Sequence, residues 1–227
     1  MKVKYEISLE EHIENYNKLK NEFEEVKNWK IKYENEMEEL MKIKNNQETL
    51  KQIDSKIIKT KEELKLIDDR IKNNDEILKK KTINYKLLYR ETRDGDKAQT
   101  FHSKCDNKKP TLSIIKTKKG MRFGGYTEQT WNGNVSWKKD DKSFCFSIEL
   151  NKIYNIIKGR DAICCYFSYM CYFQIFGLYD NAFSANNYSY DKNSSNFEGQ
   201  EKDFELINEE NSNFSLAEVE VFEISFD

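Results

Sequence analysis

The side chains best suited to chemistry in this 227-residue chain are two histidines and five cysteines, and all but His12 lie after residue 100. His102 and Cys105 form an H-x2-C pair, and Cys164, Cys165 and Cys171 could complete a four-ligand zinc set by number. Their spacing matches no finger pattern. Adjacent strand residues point to opposite faces, so Cys164 and Cys165 could not both reach one ion without distortion. A Cys105–His102 nucleophile and base fails for another reason. The two fall one turn apart on what reads as the buried stripe of a short helix, which suits packing better than presenting a thiolate. Asp94, Asp96 and Asp106 bracket the same helix, and capping and turn formation account for all three. No apolar pocket is legible that would lift a carboxyl into the acid–base range. His12 sits in a charged segment and reads as solvated. No glycine-rich phosphate loop, G-x-S-x-G or H-E-x-x-H occurs. The expectation is a chain without a catalytic residue, a cofactor site or a metal site.

The elements that would position these residues divide sharply by composition. The first 82 residues have no proline, glycine or cysteine and are nearly half charged, whereas all eight glycines, the proline and all five cysteines follow residue 94. This predicts a helical appendage over 1–82 and a domain over 83–227, long enough for one hydrophobic core. A net charge of −2 gives no footprint for nucleic acid. The short basic run Lys79-Lys80-Lys81 reads as a solvated helix end. No apolar run approaches the ~20 residues needed to span a bilayer. The start is charged from Lys2 and lacks a signal-peptide core. The expected location is the cytoplasm, with reduced thiols.

From about Leu9 the apolar period is helical. Tyr16, Leu19, Phe23, Val26, Lys30, Tyr33, Met37 and Leu40 step by three and four, and so do Leu50, Ile53, Ile57, Thr60, Leu64, Ile67, Ile71, Asn74 and Leu78. These are two heptad seams out of register, with the phase slipping in the polar stretch 44–47. There the helix is either locally overwound or broken into a hairpin. The segment 9–82 therefore reads as a coiled coil for self-association or spacing. With Leu50 at an a position, the flanking pairs of a parallel homodimer would be Lys56–Lys61, Glu63–Asp68 and Arg70–Asp75. Two of those three repel, so charge selects no direction.

The remainder reads as strands. Leu87-Leu88-Tyr89 begins the domain, a helix follows with Ala98, Phe101, His102 and Cys105 on one stripe, and Asp94 or Asp96 is placed to cap it. TLSIIKTKKG and MRFGGYTEQTW (111–131) form a hairpin turning at Lys119-Gly120. Gly124-Gly125 within its second strand marks a bulge or a place where a backbone or ring lies against the sheet. Trp131 and Trp137 flank a turn at 132–134. SFCFSIEL (143–150) alternates, residues 162–176 are apolar on both faces, and a short strand is expected near 179–183. FSLAEVEVFEIS (214–225) changes apolar face near Val221-Phe222, where a bulge would reconcile the two halves. These elements predict an α+β fold: a long-helix coiled coil, then an antiparallel two-sheet β-sandwich with a few short helices.

LLYRETRDGD (87–96), AQTFHSKCDNKKPTL (98–112), FGGYT (123–127), SFCFSIEL (143–150) and LAEVEVFEI (216–224) occur in that order. The series resembles the TLDc domain of the oxidation-resistance proteins. Relatives of that family engage the peripheral sector of the vacuolar-type proton ATPase (V-ATPase) and are linked to oxidative-stress tolerance. The resemblance thus implies a non-enzymatic protein-binding module whose leading partner is the peripheral subunits of that ATPase. The alternatives are a coiled-coil scaffold with an unrelated partner, or a redox-defence enzyme with an unrecognised site. Two stretches depart from the family pattern. FGLYDNAF (176–183) keeps only Gly177 of its glycine-rich segment, and Ser194-Ser195-Asn196 is followed by Phe197-Glu198 before Gly199.

Overall fold

The computed structural model describes residues 2–133, 136–180, 187–189, 193–207 and 212–227. It contains two compact units, Met1–Glu48 and Thr49–Asp227. In chain order the helices and strands are α1 (Lys2–Gln52), α2 (Lys61–Lys72), β1 (Ile83–Arg90), α3 (Glu91–Asp94), α4 (Ala98–Cys105), β2 (Thr111–Thr117), β3 (Arg122–Thr127), β4 (Ser136–Lys139), β5 (Phe144–Ser147), β6 (Lys152–Ile156), β7 (Asp161–Cys165), β8 (Tyr169–Phe173), β9 (Phe176–Tyr179), β10 (Asn187–Ser189), β11 (Phe197–Glu198), β12 (Asn213–Phe214) and β13 (Leu216–Phe226).

The first unit is helix alone. With no proline or glycine to interrupt it, α1 starts at Lys2, ahead of the expected Leu9, and runs through 44–47 without the hairpin that the phase slip allowed. Pairs at i,i+3 and i,i+4 (Lys27–Glu24, Lys30–Glu34, Lys32–Glu36 and Lys42–Glu38) line its surface. Its apolar seam is open: Tyr16, Leu19, Phe23 and Val26 are 63–68 % exposed.

The break comes later than expected, and it changes the reading of the second seam. Helix α1 stops at Gln52, and residues 53–60 leave it as irregular chain. Helix α2 then starts at a capping box in which Thr60 and Glu63 satisfy each other's backbone N–H groups. Ile53, Ile57, Ile58, Leu64, Ile67 and Ile71 are buried, but against a sheet and not a partner helix. They pack on Leu112, Ile114, Tyr126, Phe144, Phe146, Phe222 and Ile224. A three–four period specifies an apolar face and leaves open what covers it. The two compact units divide at Glu48/Thr49, whereas the sequence placed a boundary between residues 82 and 83.

Polar anchors hold this cover in place. Arg122 pairs with Glu63 at 2.8 Å and Glu149 at 2.6 Å and donates to the Ile57 carbonyl. Arg70 donates to Asn155 and lies 5.0 Å from the centre of the Phe144 ring. Tyr85 donates its hydroxyl to Asp68.

Among the described residues the strands form two antiparallel sheets, in the orders β1-β13-β2-β3-β5-β6-β11 and β12-β10-β9-β8-β7-β4. Between them lies a second core that includes Phe123, Trp131, Cys145, Tyr154, Phe173, Phe176, Val219 and Val221. The larger sheet is thus covered on both faces, which explains the change of apolar face in β13. Val219 and Val221 point to the inter-sheet core, while Phe222 and Ile224 point to the helical cover. The bulge expected at Val221-Phe222 sits on the neighbouring strand instead. The β1 register shifts between Leu87 and Tyr89, opposite Phe222 and Val221. Residues 162–176 make the β7–β8 hairpin. The expected strand at 179–183 is β9 at 176–179, and residues 181–183 lie outside the described residues.

Gly124 and Gly125 keep regular register with both neighbouring strands, so they mark close approach and not a bulge. A Cβ on Gly124 would stand 2.0 Å from the Ser113 carbonyl oxygen, and one on Gly125 would stand 2.6 Å from the Phe173 ring.

Candidate functional site

Helix α4 buries Ala98, Phe101 and Cys105, the stripe expected from its spacing, with His102 at its margin. Neither Asp94 nor Asp96 caps it. The Ala98 N–H is taken by Asp180 Oδ1 at 2.8 Å, from 82 residues away. Both His102 ring nitrogens are engaged: Nδ1 meets Asp106 Oδ1 at 2.8 Å and Nε2 meets the Tyr166 carbonyl at 3.0 Å. That imidazole fixes the β7–β8 turn onto α4. Asp94 instead stabilises α3. Burial pushes its carboxyl up, but hydrogen bonds from Arg93 and the Arg90 N–H, with Lys104 nearby, pull it down to about 2.

All five cysteines are free and buried. Burial raises every thiol. Cys105 and Cys145 are pushed well up, Cys165 is raised, Cys164 reaches about 11 with Cys165 and Asp161 adding to the effect, and Cys171 reaches about 12. These are the opposite of reactive, low-pKa thiolates. Trp137 lies opposite Cys164 on the neighbouring strand, whereas Cys165 joins the inter-sheet core. The adjacent pair therefore faces opposite sides, as strand geometry requires. Among the described residues no three His, Cys, Asp or Glu side chains converge as a metal site.

Two buried carboxyl groups are legible only in three dimensions. Glu220, fully buried in β13, accepts hydrogen bonds from Ser55 Oγ at 2.5 Å, Lys56 N at 2.8 Å and Arg90 Nε at 2.8 Å, and Arg90 reaches on to Asp54. This clamp binds the chain leaving α1 to β13, next to the edge strand β1 of the large sheet. Next to it Glu91 is 1 % exposed, and neither of its carboxylate oxygens has a hydrogen-bond partner among the described residues. Burial first, then the nearby Glu218 and Asp96, lifts it to about 8.

On the outer face of the smaller sheet lies an aromatic array that the sequence hid among the apolar residues of 162–176. Trp137 meets Tyr172 edge-on, Tyr172 stacks on Tyr169 at 5.0 Å, and Tyr169 contacts Tyr179 and Tyr166. Tyr166 stacks on Phe167. The Tyr172 ring lies where a Gly177 Cβ would stand, at 2.5 Å, which accounts for that glycine. Trp137 and Phe167 are 49 % and 62 % exposed. Phe167 also borders a cavity of about 610 Å³ with Lys97, Gln99, His102, Ser168 and Asp180. Rigid, partly exposed aromatic rings of this kind give large contact area at small entropy cost.

The double-covered antiparallel sheet, the second sheet with its outer aromatic array and the α4 cap define a two-sheet α+β domain of the TLDc type. The TLDc domain model matches residues 52–225, and the chain belongs to that family. The match begins where α1 ends, so the 53–72 cover is part of the domain. Among curated proteins, the MTOR-associated protein MEAK7 of Danio rerio is 27 % identical over 64 residues. That stretch is 28 % of this chain and 14 % of the relative's length. No helix among the described residues is long and apolar enough to cross a membrane.

Proposed function

We propose that this chain is a non-enzymatic protein-binding module of TLDc type, and that it recognises its partner through the Trp137–Phe167 array. The observation that supports this reading is the array itself: stacked aromatics, exposed at both ends, on a sheet face turned away from both cores. Interfaces concentrate their energy in such rings. The relative is named for an association with another protein, which points in the same direction. The first partner to test is the peripheral sector of the vacuolar-type proton ATPase, with a role in oxidative-stress tolerance in the cytoplasm.

The test is affinity purification of the tagged full chain from its own cells, beside a Trp137→Ala/Phe167→Ala variant. Both side chains are exposed, so the variant should fold. Peripheral ATPase subunits should co-purify with the parent and fall on the order of tenfold or more with the variant, as for a pair of hot-spot residues. Equal recovery of every partner from both would refute the array as the binding surface. Recovery of other proteins only would refute the ATPase as partner.

A further inference from the structure

The structure removes the argument against a parallel pairing of this chain. The repulsive pairs Lys56–Lys61 and Glu63–Asp68 belong to residues that fold onto the sheet. The Lys56 N–H is bound to Glu220, and Glu63 is paired with Arg122. What remains as a free helical face is the first seam alone. Continued from the Tyr16 register, Leu9, Tyr16, Phe23, Lys30 and Met37 occupy a positions, and His12, Leu19, Val26, Tyr33 and Leu40 occupy d positions. The large side chains Leu9, Phe23, Tyr33 and Leu40 are 50–68 % exposed. Soluble chains rarely leave so continuous an apolar stripe uncovered.

We propose that α1 pairs in parallel and in register with α1 of a second copy of this chain. The charges beside the seam decide the direction. In a parallel pair each g residue faces the e residue five positions on in the other helix. Glu22 then faces Lys27, Asn15 faces Lys20, Trp29 faces Glu34 and Glu36 faces Met41. Two symmetry-related attractions form, and none of these flanking pairs carries like charges. An antiparallel pair that overlaps the whole seam, with Tyr16 beside Leu40, sets Glu22 against Glu36 and Lys27 against Lys27. It gains Lys20–Glu34 attractions but adds three repulsions. The one charge inside the seam, Lys30, meets its own copy in the parallel pair and Val26 in the antiparallel one, so the parallel pair carries one like-charge contact against three; Lys30 also lies 3.8 Å from Glu34 on its own helix. A single lysine at an a position also favours two strands in fixed register. The pair would join two TLDc units and raise their effective concentration at a repeated target. This inference is independent of what the domain binds.

The experiment is sedimentation equilibrium of the full chain, parent and Glu22→Lys, at micromolar concentration. Position 22 is exposed, so folding should be unaffected. The parent should have twice the monomer mass. Glu22→Lys should dissociate on the order of tenfold more readily, and Glu22→Lys/Lys27→Glu should restore the parent's affinity. A full chain with Leu40→Cys should cross-link to itself under mild oxidant. In the full-overlap antiparallel pair the two positions 40 would stand ~36 Å apart, out of reach. A monomer throughout, a larger assembly, or tighter association of Glu22→Lys would overturn the proposal.

Discussion

Glu91→Gln should stabilise the folded chain, and the gain should depend on pH in one direction. In the fold the carboxyl of Glu91 is 1 % exposed, without a hydrogen-bond partner among the described residues, and close to Glu218 and Asp96. Those features raise it from 4.5 to about 8. A carboxyl whose folded pKa is raised binds its proton more tightly in the native state than in the unfolded chain. Its destabilising effect is therefore absent below the unfolded pKa and grows as pH rises from about 4.5 to about 8. At about 1.4 kcal/mol per unit, the penalty is roughly 1 kcal/mol at pH 5 and on the order of 3 kcal/mol at pH 7. Glutamine keeps the shape and removes the charge. Urea unfolding of parent and variant at pH 5, 7 and 8.5 reads the difference, and groups common to both chains cancel. The gain should widen steadily across that series. A gain of equal size at pH 5 and pH 8.5 would show that Glu91 is not held as a neutral acid, and the argument would fail.

Three further outcomes follow from the same geometry. Glu220→Ala strips the carboxylate from the buried Arg90 Nε and leaves Ser55 and the Lys56 N–H without their acceptor. It should cost about 3–5 kcal/mol and lower the melting temperature by roughly 10 °C, with early proteolysis at 53–60; a melt within ~2 °C of the parent would disprove the clamp. Gly125→Val drives a methyl group into the Phe173 ring and should destabilise by about 1–3 kcal/mol or more, read by the same melt. Native protein treated with a thiol reagent near pH 8 should react slowly at all five cysteines and rapidly only in denaturant, because each is buried with a raised pKa. Rapid native modification with consumption of peroxide would instead favour a redox enzyme.

Local pattern was enough for features set by neighbours in sequence. The opposite facing of Cys164 and Cys165, the Ala98–Cys105 stripe, the hairpin turning at Gly120 and the need for glycine at 124–125 all follow from strand and helix periodicity. Those periods are properties of the backbone itself. The order of five motifs was likewise enough for the family. What the local pattern left open was the identity of whatever covers each apolar face. The Ile53–Ile71 period reads equally as a coiled-coil seam or as a cover for a sheet. Glu218 and Glu220 alternate with valines just as exposed strand residues do. Only when Ser55 and Lys56 arrive from 164–165 residues away does Glu220 become the buried centre of a clamp. Asp180 capping α4 and the Trp137–Phe167 array are equally non-local. Sequence determined which apolar residues must be buried and where the chain must turn. Tertiary structure decided against what, because burial and hydrogen-bond satisfaction are met by the whole fold at once and not by any segment of it.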